Sequence, residues 1–232
     1  MTTSSVASNL QVVLKRIETL SSEAHRTNVP ALIAVSKTKP SSLLMEAYIA
    51  GQRDFGENYV QELVDKVPEM PNDVKWHFIG HLQSNKVAQL IDGVPNLDTI
   101  QTVDSEKLAT KLNNKLSTLG RTVNVMIEVR TSSEESKVGG VLPADVPAFV
   151  SFLLKECPSL NLTGLMTIEE PNNFSCFDTL VALRTALFES GPLKDTGRSL
   201  VLSMGMSGSF EEAIRRGSDV IRVGSSIFGA RG

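Results

Sequence analysis

The chain has 232 residues, 41% hydrophobic and 21% charged, with 26 acidic against 23 basic side chains and a net charge of −3. That balance is ordinary for a globular protein and argues against nucleic acid or an anionic membrane as a main partner. Cys157 and Cys176 form neither a metal-ligand spacing nor a disulfide framework, and no apolar run approaches the roughly 20 residues that span a bilayer.

The opening segment, MTTSSVASNLQVVL, has no secretory pattern. It lacks acids but also Arg, so it reads as a helix start rather than a transit peptide. The expectation is a cytoplasmic protein, with mitochondrial targeting as the other reading. A first helix covers about 4–25. Eight short apolar or β-branched runs follow, at 31–36, 53–56, 75–80, 97–103, 122–129, 160–166, 199–204 and 220–225. Amphipathic stretches separate them, at 41–50, 58–67, 84–91, 105–119, 143–156, 176–190 and 210–216. Eight strand–helix units predict an α/β chain folded as a single-domain (β/α)8 barrel over 1–232, preceded by an extra helix. The alternative, an open doubly wound sheet, lacks its Gly-rich dinucleotide fingerprint after the first strand.

A barrel places its chemistry where the strands end. In the first strand, alternation aligns Ile33, Val35 and Lys37 on the inner face. Burial and a neighbouring cation, Lys39 or Lys86, would make Lys37 a nucleophile toward a carbonyl; a solvated strand-end lysine is the plainer reading. In the last strand, Arg222 points inward if Ile221 and Val223 pack outward. It then needs acceptors, supplied by a ligand or by Glu57, Glu128 or Glu169. Gly205–Gly208 and Gly224–Ser226 end the last two strands, where barrels commonly hold phosphate. Ser207 suits that role, or it caps the following helix. An aldehyde for Lys37, a ring nitrogen for Arg222 and a phosphate for the Ser/Gly loops together match pyridoxal 5′-phosphate (PLP).

The segments AVSKTKP (34–40), GQRDFGENYVQE (51–62), WHFIGHLQSNK (76–86), SMGMS (203–207) and RVGSSIFG (222–229) closely resemble, in order along the chain, the PLP homeostasis protein family. The resemblance implies a barrel like the N-terminal domain of alanine racemase, with Lys37 carrying PLP as an internal aldimine and Arg222 facing the pyridine nitrogen. It further implies phosphate contacts from Ser207, Gly224 and Ser225, helped by Ser203, and a ring pocket lined by Asn58, His77 and Met166. For His77, a satisfied core histidine remains an equal reading. Lys86 either steers phosphate or is solvated, and Lys137 either meets phosphate transiently or binds nothing. The family usually has an acid where Gly208-Ser209 stand, and the segment after Gly229 is short.

The family's role is to hold PLP and pass it on, with apo PLP enzymes as transient recipients and a monomer expected. The eight units use the whole length, leaving no room for the second domain that closes a racemase site. A racemase-like PLP enzyme is the alternative, with Tyr59 its sole candidate base. A cofactor-free Schiff-base aldolase is a third, which no segment resembles.

Overall fold

Eight parallel strands close into a barrel in chain order. They are β1 (Ala31–Val35), β2 (Asp54–Glu57), β3 (Lys75–Phe78), β4 (Leu97–Val103), β5 (Val123–Glu128), β6 (Leu160–Met166), β7 (Val201–Ser203) and β8 (Val220–Val223). The computed structural model describes residues 5–131, 139–170 and 173–230. β8 returns to β1 with Ala31 beside Val220 and Ala34 beside Val223, which closes the ring. The helices are α1 (Val6–Glu23), α2 (Ser41–Ile49), α3 (Val60–Lys66), α4 (Val87–Gly93), α5 (Glu106–Thr118), α6 (Val146–Glu156), α7 (Ser175–Glu189), α8 (Phe210–Arg215) and α9 (Ser225–Phe228). The predicted (β/α)8 barrel with an additional first helix is the fold observed.

Two alternations build it. On α1, Val6, Leu10, Val13, Ile17 and Leu20 recur every three or four residues, and that stripe is buried against α2, α8 and α9. Each such side chain contributes about 1.5–3 kcal/mol on burial. Ser5 caps the helix, its hydroxyl accepting the Ser8 amide at 3.2 Å. In the strands, the period is two. Phe55, Trp76, Phe78, Ile221 and Val223 face outward into the core shared with the helices. Their neighbours Gly56, His77 and Arg222 share the inner face, with Gly56 beside His77 and Arg222 beside Ile33. A Cβ on Gly56 would sit 2.8 Å from Ile33 Cγ2, so glycine is what lets the interior close there.

Several element boundaries differ from the sequence reading. The helix expected from residue 58 begins at Val60, leaving Asn58 and Tyr59 in the loop after β2. The helix expected from residue 84 opens as a 3-10 turn, Ser84–Lys86, before α4. The last strand stops at Val223, and the short α9 starts directly after Gly224. Among the described residues, no helix is long and apolar enough to cross a membrane, and no His/Cys/Asp/Glu group could hold a metal ion.

Candidate functional site

At the C-terminal ends of the strands lies a cavity of about 430 Å³, within the size range of small-molecule sites. Lys37 enters from the loop after β1, Asn58 from the loop after β2, and Ser207 from the loop after β7. Arg222 of β8, followed by Gly224 and Ser225, completes the polar wall. Six of the nine residues expected at the site therefore meet in one cavity.

Arg222 is 4% exposed, the inward orientation that alternation predicts. Among the described residues it makes no hydrogen bond to a carboxylate. Its Nη1 donates to Ser203 Oγ at 2.7 Å and its Nη2 to the Thr167 carbonyl at 2.8 Å. Ser203 Oγ in turn donates to Gln101 Oε1 at 2.7 Å, so a three-residue relay fixes the guanidinium. Burial pulls the Arg222 pKa below its ordinary value, while Glu169 and Glu128 pull it back up. Those carboxylates act through space, so of the two readings of Arg222 the direct salt bridge to Glu57, Glu128 or Glu169 is not the one observed.

Ser207 is not a helix cap. The cap of α8 falls on Ser209, because the Ser209 and Phe210 amides both turn back to the Met206 carbonyl. Ser207 Oγ instead accepts the Gly224 amide at 3.1 Å, joining the loops after β7 and β8. Ser209, at the position where the resembling family usually has an acid, donates its hydroxyl to buried Glu169 and accepts the Met206 amide at 2.9 Å. A carboxylate thus still braces this loop, supplied from the loop after β6.

Three expected residues do not line the cavity. Met166 and Ser203 are buried inside the barrel, side by side on β6 and β7, and Ser203 acts by holding Arg222. His77 also points inward, but its Nε2 bonds Asp54 Oδ1 at 2.9 Å, at the start of β2. The imidazole therefore belongs to the opposite end of the barrel, which corrects its placement in a ring pocket. Lys39 lines the cavity and donates to the Ala230 carbonyl at 2.6 Å. Lys86 does not line it; it bonds Gln89 Oε1 at 3.1 Å at the edge of an outer cavity shared with Tyr59. Lys137 lies outside the described residues.

Val35, on the inner face with Lys37 as alternation predicts, lines the cavity with Ile79, Ile168 and Met206, which the sequence reading did not single out as lining. Ile168 and Met206 are over a third exposed and form an apolar lip. Asn58 borders the main cavity and both of its neighbours, and its Oδ1 is buried without a hydrogen-bond partner. In the adjoining cavity of about 250 Å³, Glu128 closes β5. Burial, seconded by Asp104, raises its pKa, against His81, Arg222 and Arg130.

Comparison with known proteins follows the same geometry. Residues 8–232 match the model of the family described as "Alanine racemase, N-terminal domain". A mouse protein named "Pyridoxal phosphate homeostasis protein" is 46% identical over 217 residues, covering 87% of this chain and 77% of its own. A protein of that name from Schizosaccharomyces pombe is 45% identical over 234 residues, covering 98% and 94%. Among solved structures, PipY of Synechococcus elongatus with PLP bound superposes with a TM-score of 0.76 at 33% identity, covering 94% of this chain and 100% of that one.

Proposed function

The chain belongs to the pyridoxal phosphate homeostasis protein family, and we propose that it holds PLP on Lys37 and releases it to other proteins without turning over a substrate. The observation that carries this reading is the convergence of Lys37, Arg222 and the two loops joined by Ser207 and Gly224 on one cavity. The residues fit the group. Lys37 would hold the group through its side-chain amine, to which the aldehyde would offer an electrophilic carbon. Ser207 and Ser225 supply hydroxyl donors for a phosphate, beside the Gly224 amide that now donates to Ser207 Oγ. A Cβ on Gly208 would meet nothing within 4 Å, so that stretch of backbone is open to a ligand. The orphaned Asn58 Oδ1 is an acceptor awaiting a donor.

PLP supplies an electrophilic aldehyde and, in enzymes, an electron sink. Arg222 works against the second use. A guanidinium keeps its proton, so it favours an unprotonated ring nitrogen, the poorer sink. Tyr59, the candidate base, is 58% exposed and lies outside the main cavity. What this site does well is bind and let go, with apo PLP enzymes as recipients.

The test is reduction of the PLP-loaded protein with borohydride, followed by peptide mapping. The label is expected on Lys37 and absent from Lys37→Ala; a label elsewhere, or none, overturns the assignment. Exchange of amino-acid α-hydrogens with solvent deuterium at enzyme-like rates would overturn the carrier reading.

A further inference from the structure

We infer that Lys66, together with Glu57 and Glu62, forms a buried positioning clamp that grips the backbone on both sides of Lys37 and sets where its amine stands. This rests on the reading of Lys37 as the covalent anchor. None of the three side chains lines the cavity.

The geometry is specific. Lys66, in the last turn of α3, is 6% exposed. Its Nζ donates to the Ser36 carbonyl at 2.9 Å, Glu57 Oε1 at 2.7 Å and Glu62 Oε1 at 2.6 Å, which occupies all three ammonium donors. Glu57 is fully buried at the end of β2 and also accepts the Ser36 hydroxyl at 2.6 Å. Glu62 accepts the Thr38 amide. The residue before Lys37 and the residue after it therefore end on the same cluster.

Between those grips the chain makes a tight turn, the Lys39 amide returning to the Ser36 carbonyl at 3.1 Å. Lys37 and Thr38 are its central residues. Thr38 has φ +63°, the left-handed region. A turn with positive φ at its third position ordinarily takes Gly or Asn, and a β-branched residue adopts it only under constraint. The Glu62 bond to the Thr38 amide supplies that constraint.

Stability alone is a poor account of the cluster. Desolvation offsets most of what a buried ion pair gains, and apolar side chains of similar volume serve a fold as well. What charged, directional bonds add is a single backbone geometry, and here the segment they fix carries Lys37.

The test compares wild type, Lys66→Met and Glu62→Gln for binding of two ligands. PLP can bond to Lys37. Pyridoxine 5′-phosphate keeps the ring and the phosphate but has an alcohol in place of the aldehyde, so it cannot. The clamp predicts a PLP affinity lowered roughly tenfold and a smaller borohydride-trapped fraction on Lys37, with pyridoxine 5′-phosphate affinity within about twofold of wild type. Parallel losses for both ligands, or no loss for either, would overturn the clamp. If Lys66→Met does not fold, Glu62→Gln decides, because that side chain is 23% exposed and the exchange keeps its shape. Failure of the underlying reading looks different: wild type itself then traps no PLP on Lys37.

Discussion

Replacing Arg222 by Leu probes the feature on which both the barrel interior and the proposed site depend. The substitution leaves Ser203 Oγ and the Thr167 carbonyl in a dry layer without the donors now at 2.7 and 2.8 Å. Each buried acceptor left unpaired costs about 1–3 kcal/mol. Against that, the variant no longer desolvates a guanidinium, the penalty that already lowers the Arg222 pKa. The balance is a loss of about 2–4 kcal/mol, or about 5–15 °C in Tm for a chain of this length. Arg222→Lys keeps the charge but not the forked geometry and should lose about half as much. The measurement is urea and thermal unfolding of PLP-free protein, so that no ligand effect enters. An Arg222→Leu protein that unfolds within a degree of wild type would refute the reasoning, as would a Lys variant no better than Leu.

Two further substitutions test the site from its edges. A Cβ on Gly80 would lie 2.1 Å from the Asn58 carbonyl oxygen, so Gly80→Ala must push the Asn58 backbone away, at about 1–3 kcal/mol. PLP affinity should fall although Gly80 does not line the main cavity; calorimetric titration showing unchanged affinity would count against the Asn58 contact. Glu128 gives a pH signature. Its folded pKa lies above the ordinary 4.5, so the native state binds more protons than the unfolded chain above that pH. Its contribution is full below about pH 4.5 and is lost as pH rises through the raised value. Glu128→Gln should flatten that decline in urea midpoints measured from acid to neutral pH. An unchanged slope would assign the titration to another group, Glu57 first, whose pKa burial also raises.

The barrel was legible because its signals are periodic. Outward Phe55, Trp76 and Phe78 alternate with inward Gly56 and His77, and the same rule turned Arg222 inward. Alternation names a face, however, and says nothing of height. His77 was read correctly as inward and placed at the wrong end, because the partner that draws its ring down, Asp54, is set by the register between β2 and β3. The capping alternative for Ser207 falls for a related reason. A serine just before an acidic helix start looks like a cap, but the Met206 turn moves the helix two residues on and frees Ser207 to reach Gly224. The clamp around Lys37 was half visible. Glu62 and Lys66 stand at the i,i+4 spacing of a surface pair, and only the packing of α3 on β2, with the Lys66 bonds to Glu57 and the Ser36 carbonyl, shows that the lysine turns inward.

Half of the unmet polar groups among the described residues lie at or behind the site. Among the described residues, eight buried side-chain atoms lack a hydrogen-bond partner; Trp76 Nε1, His77 Nδ1, Asn96 Oδ1 and Arg216 Nε do not surround the cavity, whereas Glu57 Oε2, Asn58 Oδ1, Gln101 Nε2 and Glu169 Oε2 lie toward the C-terminal ends of the strands. Sequences that otherwise satisfy their buried polar groups break the rule mainly where function requires it. Of these four residues only Asn58 lines the main cavity. Glu57 anchors the turn that carries Lys37, Gln101 ends the relay that fixes Arg222, and Glu169 braces the loop that carries Ser207. Each of the three lies directly behind one of the groups that PLP would meet. The polar lining itself stays simple: two amines, Lys37 and Lys39, one guanidinium, one amide and a pair of serine loops. Among the described residues such a wall offers a phosphorylated aldehyde an amine, a guanidinium and hydroxyl groups, and sets no carboxylate in the cavity lining.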